Sequence, residues 1–463
     1  MTDEFLLPPE LRLTYPNGID HLRIADHLAI TLGQKAIPVG QLRVRHLGGE
    51  VASEFRHSVS WLTNGKFFPV SPELRKASSG QWRRRPEAEG RNFFAALSDT
   101  QPTGFALSVI QRAQERGLLD AFRQHGDDPS CMDTLCAVPD ICRLGALRIH
   151  PLGESVSDVG VGMRRLPVYT DLVRLSRAVA AFERKEENLS QLLQLLFSAT
   201  ALGGSRPKCT WIQKDGQLAV ARFPSIHDPC DINRAEVLTA RLARAAGINV
   251  VDVKLAHPVF DPFALSLRFD RGPDGGRQPF LSARSLLLAE DDDAIEHFEL
   301  LEAMRVCCKD FEADAQQLWS RLLFGLLIGH QGFNLHKIGF LYAGKGQWRL
   351  APAYGLRPAG LRSETTQAGE LACRTPSITL DALMEGSEAF AVSRSAAEER
   401  LSQQLSVIRD WKKLATEFSI NMNDKEMQVL EKRSRIVRIH LDDLENSPKG
   451  IYPMLESAFG EGN

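Results

Sequence analysis

Residues 327–342, LIGHQGFNLHKIGFLY, have the form of a catalytic loop: an apolar run, a polar turn and then a strand. Such a loop normally carries a carboxylate, and this one has none. Its polar groups include His330, Asn334 and His336. A histidine there can accept a proton, but neutral imidazole is a poor ligand for a hard cation that wants oxygen. Far upstream, Gly203-Gly204 by itself reads as an ordinary turn, and Lys208 follows it. Phosphoryl transfer needs more than this. It requires cradled phosphates, a carboxylate with an amide or second acid for magnesium, and a carboxylate to take the hydroxyl proton. The sequence candidates for replacement acids are Asp270 and the run Glu290 to Asp293, and the run reads as a solvated acidic turn. Arg83-Arg84-Arg85, flanked by Pro, Gly and Ser, reads as a solvated basic loop rather than a phosphate contact.

The elements that must position these groups follow from periodicity. Leu22, Ala25, Leu28 and Leu32 recur at helical spacing over 18–33, so residues 1–36 read as an extension with one helical stretch. Val39, Leu42 and Val44 then begin a hairpin that turns at Gly48-Gly49. Helical pattern returns from Phe105 to Phe122, and CAVPDICRLGALRI gives a loop and a strand. Leucines between 172 and 196 make one or two amphipathic helices. From Ala199 the pattern is strand, Gly-rich turn, strand, Asp-Gly turn, strand. A helix follows with Asp231 as N-cap and Gly247 as stop, and then the strands VVDVKLA and FALSLRFD. The order β-β-α-β-β is the layout of a kinase-like N-lobe. Beyond it the chain is mostly helical, and the helix over 313–329 buries Leu318, Trp319, Leu322 and Leu326 and delivers the chain to His330.

Composition bounds the class. A chain of 463 residues with 43 % hydrophobic content holds two to four domain-sized units. Lys and Arg total 56 against 58 Asp and Glu, so no global field points to nucleic acid or an anionic membrane. The eight cysteines (131, 136, 142, 209, 230, 307, 308, 373) show no C-x-x-C pair and no zinc spacing, which indicates reduced thiols. With no signal-like start and no apolar run of membrane-spanning length, a cytoplasmic protein is expected.

The blocks LGGSRPK, ARFP, LTARLARAAGI, LRFDR, PFLSARSLL and WRLAPAYGLRP stand in the order and spacing of the HipA family of bacterial serine/threonine kinases, the toxin halves of toxin–antitoxin pairs. VGQLRVRH, FFAALSDTQPTGF and LGALRI resemble that family's N-terminal subdomain, and the resemblance covers roughly residues 38 to 440. It implies an α+β, HipA-like kinase fold: an extension at 1–36, a β-rich N-terminal subdomain at 37–150, a kinase-like N-lobe at 151–270 and a helical C-lobe at 271–463. The catalytic loop would lie at 328–340 and the metal segment at 352–358.

By the same resemblance Gly203, Gly204 and Lys208 form the glycine-rich loop, and Arg222 in ARFP replaces the phosphate-binding lysine of AKFP. The charge survives, but a planar guanidinium is not a compact ammonium. Glu236 stands where a helical glutamate pairs with that cation, and Phe269 in LRFDR flanks the adenine. Relatives read approximately I-G-N-T-D-D-H-L-x-N-x-G-F-L in the loop. Here the catalytic base falls on Gly332, the metal-binding asparagine on Lys337 and the metal-binding aspartate of AYD on Gly355. A second departure is PTGFA at 102–106, where relatives have PDGWG. The resemblance therefore implies a pseudokinase with no intact catalytic residue, no metal ligands, weak ATP binding and no magnesium held in the usual way. The implied partner is a protein: a HipB-like helix-turn-helix antitoxin, an active sister kinase or an aminoacyl-tRNA synthetase, without direct nucleic-acid or membrane binding. The alternative is an active, unorthodox HipA-type kinase toxin that uses ATP.

Overall fold

Alternating apolar residues in the N-terminal third build one antiparallel sheet in the computed structural model. That model describes residues 27–47, 50–76, 81–84, 93–118, 131–152, 172–199, 202–228, 231–256, 262–272, 274–290, 297–328, 335–357, 379–417 and 420. The sheet contains β1 (His27–Leu32), β2 (Ile37–Leu47), β3 (Glu50–His57), β4 (Gln81–Arg84) and β5 (Leu147–Pro151) in the order β4-β3-β2-β1-β5. Leu28, Ile30 and Leu32 of β1, Leu42 of β2 and Phe55 of β3 are buried in its core. Phe55 meets Phe94 edge to face at 5.9 Å.

Two expectations change here. The helical stretch read over 18–33 becomes strand at 27–32, while residues 1–26 lie outside the described ones. Leu28 and Leu32 are four apart, a spacing that satisfies both periods. Ile30, buried between them, selects the two-residue period, and β2 and β5 on either side supply the partners. The basic loop also contributes a strand, since β4 pairs with β3 in the register Phe55↔Trp82 and Glu54↔Arg83; Arg85 lies outside the described residues.

The chain divides into two compact units, Met1–Ile226 with Asp270–Leu281, and His227–Phe269 with Ser282–Asn463. Besides the sheet, the first unit holds helices Phe105–Glu115, Leu172–Glu183 and Leu189–Ser198 and the hairpin β6 (Lys208–Ile212) with β7 (Leu218–Arg222). The leucine-rich stretch is thus two helices. Lys185 adopts a left-handed φ of 61° at their junction, and Asn188 with Gln191 forms a capping box for the second. That helix runs to Ser198, so no strand precedes the glycine-rich turn, contrary to the sequence pattern.

A buried ionic cluster ties distant segments of this unit. Asp140 accepts from Arg148 and Arg277, each at 2.7 Å. Asp270 accepts from the Gly145 amide and from Arg271, also at 2.7 Å each. Burial pushes the Asp140 carboxyl up, but Arg277 and Arg148 outweigh it and hold the group below its ordinary range.

In the second unit Asp231 caps helix Ile232–Ala245 by accepting from the Arg234 amide at 2.9 Å. Gly247 follows at φ +79°, as the sequence indicates. The strands β8 (Val253–Ala256) and β9 (Phe263–Leu267) pair antiparallel. After β10 (Phe280–Ser282) come helices His297–Cys307 and Phe311–Leu327 and the antiparallel hairpin β11 (Gly339–Gly344) with β12 (Gln347–Leu350). Helices Leu380–Glu385, Arg394–Arg409 and Trp411–Glu417 follow. Helix Phe311–Leu327 is buried around most of its circumference: Leu323, Phe324 and Leu327 are enclosed as well as Leu318, Trp319 and Leu322, while Leu326 is half-buried. Trp319 donates its indole N–H to the Leu383 carbonyl at 2.9 Å, which satisfies the polar edge of a buried ring.

Candidate functional site

The glycine-rich turn is built entirely within the first unit. Gly204 takes φ +93°, and Lys208, at the start of β6, turns its ammonium back onto the turn. It donates to the carbonyls of Gly203 and Arg206 at 2.8 Å and of Gly204 at 3.2 Å. Three acceptors match the three donors of an ammonium, so Lys208 acts here as an internal brace of the turn. Arg222 lies directly opposite Lys208 in the β6–β7 register, on the same face of the hairpin. Two like charges facing each other are unfavourable, and drawing the ammonium onto carbonyl oxygens relieves part of that repulsion. The arrangement sets Arg222 and the braced Lys208 beside the glycine turn.

A second brace comes from the 102–105 segment. The Phe105 amide donates to the Gly204 carbonyl at 3.1 Å, and the Gly204 amide faces Thr103 Oγ1 at 3.4 Å. Gly104 has φ +56°, and a Cβ there would lie 2.5 Å from the Gly204 carbonyl carbon. The sequence marks PTGFA only as a departure from the family, whereas the structure makes it the seat of the glycine-rich turn. The turn signal Pro-Thr-Gly was legible, but its contact, a hundred residues away, was not.

In the second unit, the positions aligned with catalytic loop and metal segment are tied together by Tyr354. Its hydroxyl donates to the His336 carbonyl at 2.9 Å, and its ring stacks on Phe269 with centroids 5.3 Å apart and planes 25° apart. Phe269, the short helical turn Leu335–Lys337 and the Tyr354-Gly355 pair therefore form one constellation. Gly332, His330 and Asn334 lie outside the described residues. Gly355 has φ +66° and open space where a Cβ would stand. Ala353 fixes this segment, exchanging backbone hydrogen bonds with Val251 and Asn249 at 3.0 and 2.8 Å.

Beneath it sits Arg321, which sequence reasoning passed over. Its one signal is a charge inside the apolar run LWSRLLFGLL. Arg321 is buried, donates to the Asn249 carbonyl at 3.3 Å, and burial pulls its pKa down to about 10 despite nearby Asp314 and Tyr354. Asp314, on the same helix, accepts from Arg349 Nε at 3.1 Å; burial nonetheless keeps its carboxyl above the ordinary range. Glu236 is buried on helix Ile232–Ala245. Asp270 is committed to Gly145 and Arg271 in the first unit, which rules it out as a replacement acid in this conformation.

Magnesium does not fit the described positions. Lys337 offers a cationic ammonium and Gly355 no side chain, where hard-cation binding asks for oxygen ligands. Among the described residues no three His, Cys, Asp or Glu side chains converge as a metal cage.

Along the chain, a glycine turn with the β6–β7 hairpin, helix Ile232–Ala245 with β8 and β9, and helix Phe311–Leu327 ahead of the β11–β12 hairpin follow the order of a HipA-like kinase fold. Residues 200–427 match the family model of the HipA-like C-terminal domain. A solved complex of the Shewanella oneidensis MR-1 toxin–antitoxin proteins HipA and HipB with operator DNA contains a similar chain. It has 14 % identity and a TM-score of 0.56, and covers 93 % of this chain and 99 % of that one. The Helicobacter pylori proinflammatory kinase CtkA matches at 12 % identity over 57 % of this chain and 95 % of that one, with a TM-score of 0.35. No curated protein matches the sequence. Among the described residues, no helix is long and apolar enough to cross a membrane.

Proposed function

We propose that this chain is a HipA-type pseudokinase, a protein that keeps the kinase scaffold, has lost phosphoryl transfer and acts by binding a protein partner in a toxin–antitoxin-like pair. The observation that carries the reading is the residue content of three positions that one mechanism needs together: Gly332, Lys337 and Gly355. Two of them, Lys337 and Gly355, lie on described segments that the Tyr354 hydroxyl joins through the His336 carbonyl. A partner of the HipB helix-turn-helix class fits the HipA complex to which the fold is similar; an active sister kinase and an aminoacyl-tRNA synthetase are the other classes. The bracing of the glycine-rich turn supports weak nucleotide binding on the Arg222 face.

Incubation with labelled ATP and magnesium, followed by intact-mass measurement, tests the loss of activity. The expected result is no increment of about 80 Da, the mass of one transferred phosphoryl group. An increment that disappears with EDTA overturns the reading and establishes an unorthodox active kinase. Thermal-shift measurement with ATP is expected to give a small stabilisation, equal with and without magnesium.

A further inference from the structure

Arg321 sits inside helix Phe311–Leu327, and only 6 % of it is exposed. A guanidinium carries five N–H donors and a full charge, and both must be met where water is excluded. Within the chain Arg321 meets little of this. Its Nη2 donates to the Asn249 carbonyl at 3.3 Å, an oxygen that already accepts from the Ala353 amide at 2.8 Å. Nε is enclosed and has no hydrogen-bond partner; Nη1 has none either but is not enclosed. Among the described residues no carboxylate forms an ion pair with it. Asp314, the nearest acid of the same helix, stands two turns earlier, about 10 Å along the axis, and Arg349 Nε holds both its oxygens at 3.1 Å. Asp314 and Tyr354 favour the charged form of Arg321, yet burial outweighs them and draws its pKa down. An unpaired buried charge is so costly that a well-packed apolar residue in its place commonly stabilises a protein. A chain that keeps one calls for a partner to it. The shared Asn249 carbonyl sets the guanidinium against the segment of Ala353, and two residues on, Gly355 takes φ +66° with nothing within 4 Å of its Cβ position.

We propose that Arg321 is the receptor of a small oxyanion, a carboxylate or phosphate group that sets two oxygens against the guanidinium fork. Nη1 offers both its donors and Nη2 the N–H that Asn249 leaves over. A planar fork matches two oxygens at once, which a single carbonyl does not supply. The anion also cancels the charge that Asp314, committed to Arg349, leaves standing. All of these groups belong to the second unit, so the site stands whether or not nucleotide binds on the Arg222 face of the first.

The test is thermal melting of the full chain titrated with sodium phosphate and, separately, with sodium acetate, each against sodium chloride of the same ionic strength. Binding to the folded state raises the melting temperature with anion concentration. Phosphate also stabilises proteins by exclusion from their surface, so the readout is the difference between the unaltered chain and Arg321→Met. The unaltered chain is expected to rise further than the variant; a difference in phosphate alone assigns a phosphoryl group, and one in acetate a carboxylate. In chloride, Arg321→Met is expected to melt at or above the temperature of the unaltered chain, because a charge without a partner has been removed. Arg321→Lys keeps the charge without the fork and is expected to need at least about tenfold more anion for the same rise. Equal responses of the unaltered chain and Arg321→Met overturn the site. An Arg321→Met that fails to fold, or melts below the unaltered chain in chloride, marks a structural arginine and overturns it as well. Equilibrium dialysis of labelled phosphate and acetate against the unaltered chain needs no variant, and retention of neither also refutes the proposal.

Discussion

Replacing Gly104 by alanine tests whether the 102–105 segment seats the glycine-rich turn. The glycine has φ 56° and ψ −124°, a backbone region that residues with a Cβ enter only at a cost of about 1–3 kcal/mol. The new methyl would also lie 2.5 Å from the Gly204 carbonyl carbon, 2.6 Å from its oxygen and 2.8 Å from the Ser205 amide, all backbone atoms. Relieving such overlap costs about another 1–3 kcal/mol and breaks the Phe105–Gly204 hydrogen bond. Gly33 is the control. At φ +71° with nothing within 4 Å of its Cβ, Gly33→Ala incurs only left-handed strain of about 1–2 kcal/mol. The measurement is hydrogen–deuterium exchange at the Phe105 amide combined with urea unfolding of both variants. Gly104→Ala is expected to speed exchange at Phe105 by about a hundredfold, the factor that corresponds to roughly 3 kcal/mol. It is also expected to reduce stability more than Gly33→Ala does. If the two variants match within about 0.5 kcal/mol and Phe105 stays protected, the segment does not seat the turn.

Three further outcomes follow from the structure. Because the Asp140 carboxyl is held below its ordinary 3.8 in the folded state, its stabilisation is complete above that value and is lost as pH falls through the folded value. A urea midpoint measured down to strongly acid pH should therefore fall less steeply in Asp140→Asn. At neutral pH that variant should be weaker by about 3–5 kcal/mol, because Arg148 and Arg277 lose their carboxylate. Tyr354→Phe keeps the ring on Phe269 but loses the bond to His336, and calorimetric melting should show a loss of about 1 kcal/mol, with Tyr354→Ala losing more. The combination Gly332→Asp, Lys337→Asn and Gly355→Asp should create magnesium-dependent ATP affinity in titration calorimetry, while each change alone does nothing. A folded triple variant without that affinity contradicts the assignment of 327–358 to the kinase loop.

The constellation was partly legible before any coordinates. Asp231 as a cap, Gly247 as a stop and the leucine-rich helices depend on residues close in sequence, and local chemistry fixes them. What escaped depends on contacts over long distances. The strand at 27–32 is decided by its neighbours β2 and β5, because leucines four apart fit either period. The brace between Gly104 and Gly204 joins residues a hundred apart, and the enclosure of Arg321 depends on Asn249, distant in sequence. Lys208 illustrates the same limit: the bonds of its ammonium to the carbonyls of Gly203, Gly204 and Arg206 were not legible in the sequence.

The charge at the altered positions supports binding without metal. In the family pattern, two carboxylates and a neutral amide balance a doubly charged ion, so the loaded site adds nothing to the field felt by a polyphosphate. Glycine, lysine and glycine at Gly332, Lys337 and Gly355 contribute one positive charge with no ion present. Buried Arg321, with Asp314 of its own helix nearby, is a further cation in this unit. On the proposed reading an anion is held by fixed side chains alone, and its affinity is expected to be indifferent to magnesium. Catalysis asks for something different. It requires charge that tightens on the transferring group and a base aligned with the acceptor, and an ammonium on a flexible stem does neither. On the proposed reading, a lysine at 337 with glycines at 332 and 355 is what selection for occupancy, rather than turnover, would leave.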